Sequence, residues 1–140
     1  MRSVISWDRL VISSVGIEAG TVVDAYIEDI RIDGRTESDV RPITGTVAEY
    51  FIDHSKPLLL NDETVDDVVV LVPQLQAVAD GGLSSGISIP LRSWNKLVGV
   101  LHIRAVASDA YSIRDVAYAE ALGLQLAGPL ASEQMRLQLK

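Results

Sequence analysis

The spacing of apolar residues changes several times along the chain, and each change predicts a new element. Residues 4–14, VISWDRLVISS, are rich in β-branched side chains and predict a strand. Residues 16–20 read as a turn. From Thr21 to Ile32, Val23, Ala25 and Ile27 alternate with Asp24, Tyr26 and Glu28, the period of a half-buried strand, and Asp33-Gly34 marks a turn after it. Between Gly45 and Ser55 the period becomes helical, with Val47, Tyr50, Phe51 and His54 on one side. Thr46 and Glu49 have capping-box spacing at its start, and Lys56-Pro57 closes it. Leu58 to Asn61 is a short apolar strand. Residues 65–72, VDDVVVLV, have strand propensity yet lead into a helix expected from about Pro73, so their state stays open between the two. Gly81-Gly82 ends that helix.

Two strands then flank the turn residues Trp94-Asn95, and a last helix begins near Ser112, where Ser112 and Asp115 have N-cap and N3 spacing. Pro129 is expected to kink or break it. The order is strand, strand, helix, strand, helix, strand, strand, helix. It predicts an α+β fold: a central antiparallel sheet of five or six strands with helices on both faces, in one domain over residues 1–140.

The last two strands carry the most informative pattern. Ile87, Ile89, Leu91, Leu97, Gly99, Leu101 and Ile103 fall on one face if Ile89 lies opposite Gly99 and Ile87 opposite Leu101. That face suits the final helix. The other face carries Ser84, Gly86, Ser88, Val98, Val100, His102 and Arg104. On the pattern alone it is either a solvated face or the floor of a pocket, where small residues leave volume and polar groups anchor a ligand.

Composition narrows the chemistry. The chain has no cysteine, which removes disulfides, thiolate metal sites and thiol catalysis. A net charge of −7, with basic residues scattered, argues against nucleic acid and against an anionic membrane surface as partners. No apolar run approaches the ~20 residues of a membrane span, and a cytoplasmic location is expected. Two histidines, His54 and His102, have no second ligand placed beside them by spacing, so no metal and no cofactor are expected. The acidic residues Asp62, Glu63, Asp66 and Asp67 lack a calcium-loop pattern. No G-x-S-x-G elbow occurs.

Three stretches taken in order resemble a GAF domain, the small-molecule sensor module of GAF/PAS-like architecture. They are PITGTVAEYFIDHSKPLLLND, residues 42–62; GGLSSGISIPL, residues 81–91; and LVGVLHI with ASDAYSIRDVAYAEALGLQLA, within residues 97–127. The resemblance implies a ligand cavity on one sheet face and a regulatory role toward a covalently attached output domain, as in two-component signalling. It departs from the family in leaving only a few residues before the first strand for the usual leading helix. The candidate ligand-binding residues are then Ser84, Gly86, Ser88, Val100 and His102, with Asp62 and Leu75 at the rim. The enzymatic branch of the family, free methionine sulfoxide reductases, depends on cysteines, so no enzymatic activity is expected. The expected partners are an unidentified small molecule and a second copy through the C-terminal helix. A dimerisation module without ligand is the alternative, hinted at by Leu130 and Leu137 seven residues apart.

Overall fold

The computed structural model of the protein describes residues 6–29 and 40–138. The expected turn at Asp33-Gly34, and the outer ends of the first two expected strands, lie outside these residues. Six strands form one sheet: β1 Arg9–Gly16, β2 Thr21–Asp29, β3 Val40–Pro42, β4 Leu58–Leu60, β5 Ser85–Ser93 and β6 Lys96–Ala105. Their spatial order is β3-β2-β1-β6-β5-β4, with every pair antiparallel. The three-residue β3 is an addition to the sequence reading. It is too short to show a period, and Pro42 is tolerated because β3 is an edge strand.

One face of the sheet packs on α4, Ile113–Gln138. Ile87, Ile89, Leu91, Leu101 and Ile103 form this core with Ala119 and Ala127 of the helix. Small residues at Ala119, Gly123 and Ala127 recur every fourth position, so the helix axis comes close to the sheet; a Cβ on Gly123 would stand 3.1 Å from both Ile89 and Leu91. The helix carries on through Pro129 rather than breaking there. Proline costs the helix a hydrogen bond to the residue four back, but packing of Leu126, Ala127, Leu130 and Ala131 on both sides of it holds the helix to the sheet.

The expected register of β5 and β6 is corrected by two residues: Ile89 pairs with Leu101 and Ile87 with Ile103. A slip of two leaves the faces unchanged. A bulge does change them locally. Leu91 pairs with Gly99 and Arg92 with Leu97, so Val98 is the extra residue. Leu97 consequently turns to the opposite core and Val98 to the α4 side, the reverse of simple alternation. Trp94 and Asn95 both take positive φ, as a two-residue hairpin turn of this hand requires, and Trp94 is 98% exposed.

The other face is covered by three short helices: α1 Val47–Asp53, α2 Val65–Leu71 and α3 Leu75–Asp80. The open segment at residues 65–72 is therefore helix up to Leu71. Val68 and Val72 reach the core with Phe51, Leu58, Leu60 and Leu97. The loop before it is fixed by Asn61, whose Oδ1 accepts from the backbone N–H groups of Glu63 and Thr64. β-branched residues lose only a few tenths of a kcal/mol each in a helix, less than burial returns. Pro73 lies between α2 and α3, and the second helix begins two residues later than expected. At α1, Glu49 N–H donates to Thr46 Oγ1 (3.3 Å), while the Glu49 carboxylate reaches back to Gly45 N–H (2.9 Å) instead of the N-cap amide.

Candidate functional site

A cavity of about 540 Å³ lies between the sheet and the helices α1 and α3. Its floor is the face opposite α4. β1 contributes Arg9, Val11 and Ser13; β6 contributes Val100, His102 and Arg104; β2 contributes Val22 and Asp24; and Arg41 joins from β3. These residues share a face because register pairs them: Arg9 with Arg104, Val11 with His102, Ser13 with both Val100 and Asp24. The cover comes from Thr46, Val47 and Ala48 at the start of α1, and from Gln74, Leu75, Ala77, Val78 and Gly81 around α3, with Leu83 beyond it. A mostly apolar hollow with a few placed polar groups is the ordinary form of a small-molecule site.

Two polar networks order the floor. Asp24 is 0% exposed, and its Oδ1 accepts from Ser13 Oγ at 2.9 Å and from Arg41 Nη2 at 2.5 Å. A carboxylate buried this completely needs such donors. A second network surrounds Arg104, also buried. Its Nη1 donates to Ile87 O (3.3 Å), and its Nη2 donates to Ser88 Oγ (3.2 Å) and His102 Nδ1 (3.0 Å). Ser88 Oγ also lies 3.1 Å from His102 Nδ1. Because Arg104 can only donate, Nδ1 accepts, and a neutral His102 carries its proton on Nε2.

The sequence candidates divide accordingly. Val100 and His102 line the floor, and Leu75 lines the cover rather than only its rim. Ser84, Gly86 and Ser88 do not line the cavity. The room beside Gly86 is taken by Arg104: a Cβ there would stand 2.7 Å from Nη1 and 2.9 Å from Cδ. A long side chain on β6 folds across its register partner on β5, fills the space the glycine leaves and bonds the serine next but one. The hollow is thereby displaced toward β1 and β2. Asp62 is exposed and is not a lining residue, so it does not form the rim; the cavity is covered from α1 and α3 instead. His54 sits at the C-terminal end of α1, where its Nδ1 lies 2.8 Å from Tyr50 O and its ring stacks on Tyr50. Among the described residues, no group of three or more His, Cys, Asp or Glu side chains could hold a metal ion, and no helix is long and apolar enough to cross a membrane.

Sequence reasoning missed the half of the wall on β1, β2 and β3: Arg9, Val11, Ser13, Val22, Asp24 and Arg41. One signal was present. Arg9, Val11 and Ser13 alternate with Leu10, Ile12 and Ser14, which puts an arginine on the face away from the aliphatic set. In β2 the alternation misleads, because a bulge at Ala25 separates the pair Ile12–Tyr26 from Ser13–Asp24 and turns a carboxylate inward.

A sheet of this order, closed by one long helix behind and short helices over a cavity in front, invites comparison with known domains. A family model described as "GAF domain" matches residues 11–128. The chain is a GAF domain. No curated protein matches it significantly. Among solved structures it is similar to the GAF domain of a two-component sensor histidine kinase from Bacillus halodurans, with 21% identity, a TM-score of 0.72, and 94% of this chain and 86% of that one covered. It is also similar to the second GAF domain of DevS from Mycobacterium smegmatis (14% identity, TM-score 0.64, 96% and 87% covered). A third likeness is to a free methionine-R-sulfoxide reductase from Neisseria meningitidis in complex with its substrate (14% identity, TM-score 0.66, 93% and 71% covered). Identities this low carry the GAF fold and nothing finer.

Proposed function

We propose that this GAF domain is a non-catalytic sensory module that binds a small organic molecule in the cavity between the sheet and α1/α3, and that binding regulates an attached output domain through α4. The observation that carries the reading is the cavity itself, about 540 Å³ with a buried polar floor and an apolar cover. Its size lies within the range of ordinary ligand pockets. The absence of cysteine from the chain supports a non-catalytic role against the reductase activity of its enzymatic fold relative. Its similarity to domains of sensor histidine kinases supports a signalling context.

A thermal-shift screen of the purified chain against a broad metabolite set tests this reading. Some compounds should raise the Tm of the wild type. Ala77→Trp, at an exposed α3 position on the wall, should abolish those shifts while leaving the unliganded Tm within a few degrees. Shifts that persist undiminished in Ala77→Trp would place binding elsewhere, and a screen without any stabilising compound would overturn the sensory reading.

One observation favours a second, compatible reading, association of two copies through α4. Its outer side presents Ile113, Leu124 and Met135, of which Leu124 is 81% exposed, alongside the small residues Ala117, Ala121 and Gly128. Small residues let two helices approach closely, and a self-complementary stripe suits a two-fold dimer. Leu124→Glu should convert a dimer to a monomer in light-scattering chromatography; a wild type that is already monomeric at high concentration would refute the dimer.

A further inference from the structure

We infer that the segment from Pro73 to Gly82, which carries α3, is a flap over the cavity. It is latched by Leu75, lifts between the buried anchors Val72 and Leu83, and admits a ligand along the seam between Gln74 and Gly45. The inference rests on reading the cavity as a ligand site, and it adds the route into that site.

The floor requires a cover that moves. Val100 and Asp24 are 0% exposed, Val11 and Ser13 2%, and Val22 3%. A molecule resting on these side chains reaches them only after part of the cover has shifted. The two helices of the cover are held very differently. α1 buries Val47, Ala48 and Phe51, and Arg92 of β5 donates to Phe51 O (2.5 Å) and His54 O (3.1 Å), which ties its C-terminal end to the sheet. α3 buries only Leu75 of its six residues. The amides of Leu75, Gln76 and Ala77 donate to the carbonyls of Val72, Pro73 and Gln74, those of Gly81 and Gly82 to Ala77 and Ala79, and Gln76 Nε2 to Asp80. These bonds close within the segment or onto its anchor, so they move with it.

The ends of the segment suit a hinge. Pro73 parts α3 from α2, and Gly82 has a φ of 96°, a conformation open to glycine without steric cost. A single buried leucine keeps such a segment closed by a factor of roughly ten to a hundred. The flap therefore opens locally while the sheet stays folded. Its free edge is the seam with the β3–α1 turn. Gly45 has a φ of 81°, and a Cβ there would stand 3.1 Å from Gln74 Nε2 and 3.8 Å from Cγ. Gln74 lies across this glycine and closes the join, and Thr46 and Gln74 line the cavity on its two sides.

Two measurements on the purified chain test the flap. In hydrogen exchange read by mass spectrometry, the amides of residues 76–82 should exchange at least about a hundredfold faster than those of residues 100–103 in β6, through an opening that low urea does not accelerate. Equal rates with equal urea dependence would overturn the inference, since α3 would then open only when the whole domain unfolds. The second measurement uses the chain's lack of cysteine. Gly45→Cys combined with Gln74→Cys places two thiols across the seam, and N-phenyl-1-naphthylamine, a neutral fluorescent probe, reports entry in stopped flow. Uptake should slow at least about tenfold when the pair is oxidised and recover on reduction, and Leu75→Ala should speed it. Uptake indifferent to oxidation would overturn the flap and leave the sensory reading standing, with entry by another route. If the double variant does not fold or cross-link, the exchange rates and Leu75→Ala decide. A wild type that takes up no probe would overturn the flap as well, and the sensory reading would then rest on the metabolite screen and Ala77→Trp.

Discussion

At Gly99 the strands β1 and β6 and the helix α4 meet in close contact, and Gly99→Ala puts a number on that contact. A methyl group at this position would come closer than 3.0 Å to two atoms, the carbonyl oxygen of Ser13 on β1 and Cδ2 of Leu130 on α4, and would stand 3.4 Å from Leu91 Cδ1. The first neighbour is backbone and belongs to the β1–β6 ladder, where Ser14 pairs with Gly99. Relief therefore requires either strand separation or outward movement of α4. Separation that leaves one buried backbone group unpaired costs about 1–3 kcal/mol, and overpacking of a filled core costs about 1–3 kcal/mol. Together they predict a loss of about 3 kcal/mol or more, a large share of the ~5–15 kcal/mol that holds a domain of this kind together. Urea unfolding followed by circular dichroism reads the loss as a lower midpoint at an unchanged slope. Adding Leu130→Ala separates the two neighbours. If Leu130 were the whole obstacle, the double variant would be no less stable than Leu130→Ala alone. The Ser13 carbonyl predicts a residual deficit of at least about 1 kcal/mol. A Gly99→Ala protein within about 1 kcal/mol of wild type would refute this account of how α4, β1 and β6 fit together.

Three further outcomes are expected. Gly86→Ala would bring a methyl within 3.0 Å of Nη1 and Cδ of the buried, hydrogen-bonded Arg104, so it should cost about 1–3 kcal/mol in urea unfolding; a variant within about 0.5 kcal/mol of wild type would show that Arg104 does not depend on the space the glycine leaves. Tyr111 donates to Ser6 O at 2.7 Å, and burial, reinforced by Asp8, pushes its phenol above the usual tyrosine range. The folded state thus keeps the proton that the unfolded chain releases near pH ~10, so wild-type stability should fall above that pH by up to about 1.4 kcal/mol per unit. Tyr111→Phe, about 1 kcal/mol less stable at neutral pH, should close that gap by pH ~11 in pH-dependent urea melts, and parallel curves would contradict the assignment. Gln134→Leu removes the donor to Ser14 Oγ (2.7 Å) and Val98 O (2.8 Å), and should cost about 1–3 kcal/mol; a neutral effect would show that the bulge carbonyl needs no partner.

Legibility followed the strength of the local period. Ile87, Ile89, Leu91, Leu101 and Ile103 of the α4-facing set were readable because side chains alternate away from the bulge at Val98, and an error of two in register does not move a residue to the other face. Thr46 and Glu49 located α1 to within two residues because capping chemistry is local. What failed was non-local. Nothing in GISIPL shows that Arg104, sixteen residues beyond Ser88, will fold over Gly86 and close that end of the hollow. The bulges at Ala25 and Val98 each add one residue, and one residue is enough to exchange faces. Residues 65–72 have strand propensity, but their valines meet a core whose sheet edge is already occupied by β4, and helical packing of Val68 and Val72 prevails.

The same bulges bear on how occupancy of the cavity would reach α4. Ser13 and Ser14 are consecutive on β1 and point to opposite faces of the sheet. Ser13 lines the cavity and donates to Asp24, which also holds Arg41. Ser14 accepts from Gln134 of α4, whose amide also donates to the carbonyl of the bulge residue Val98. The bulge at Ala25 interrupts the β1–β2 ladder at this level, whereas the β1–β6 ladder keeps a regular register through Ser13 and Ser14 and the bulge at Val98 interrupts the β5–β6 ladder beyond it. A regular antiparallel ladder resists local displacement because each strand is bonded on both sides; a bulge interrupts the ladder and concentrates twist. β1 is therefore less tightly laddered on its β2 side than on its β6 side, at the point where one residue touches the cavity and the next is bonded to the long helix. A ligand that changes the Asp24–Arg41 arrangement acts on Ser13 directly, and the shortest covalent and hydrogen-bonded path from there to α4 is Ser14 to Gln134. The size of any shift in α4 is limited by how differently the ligand binds the two positions of that path.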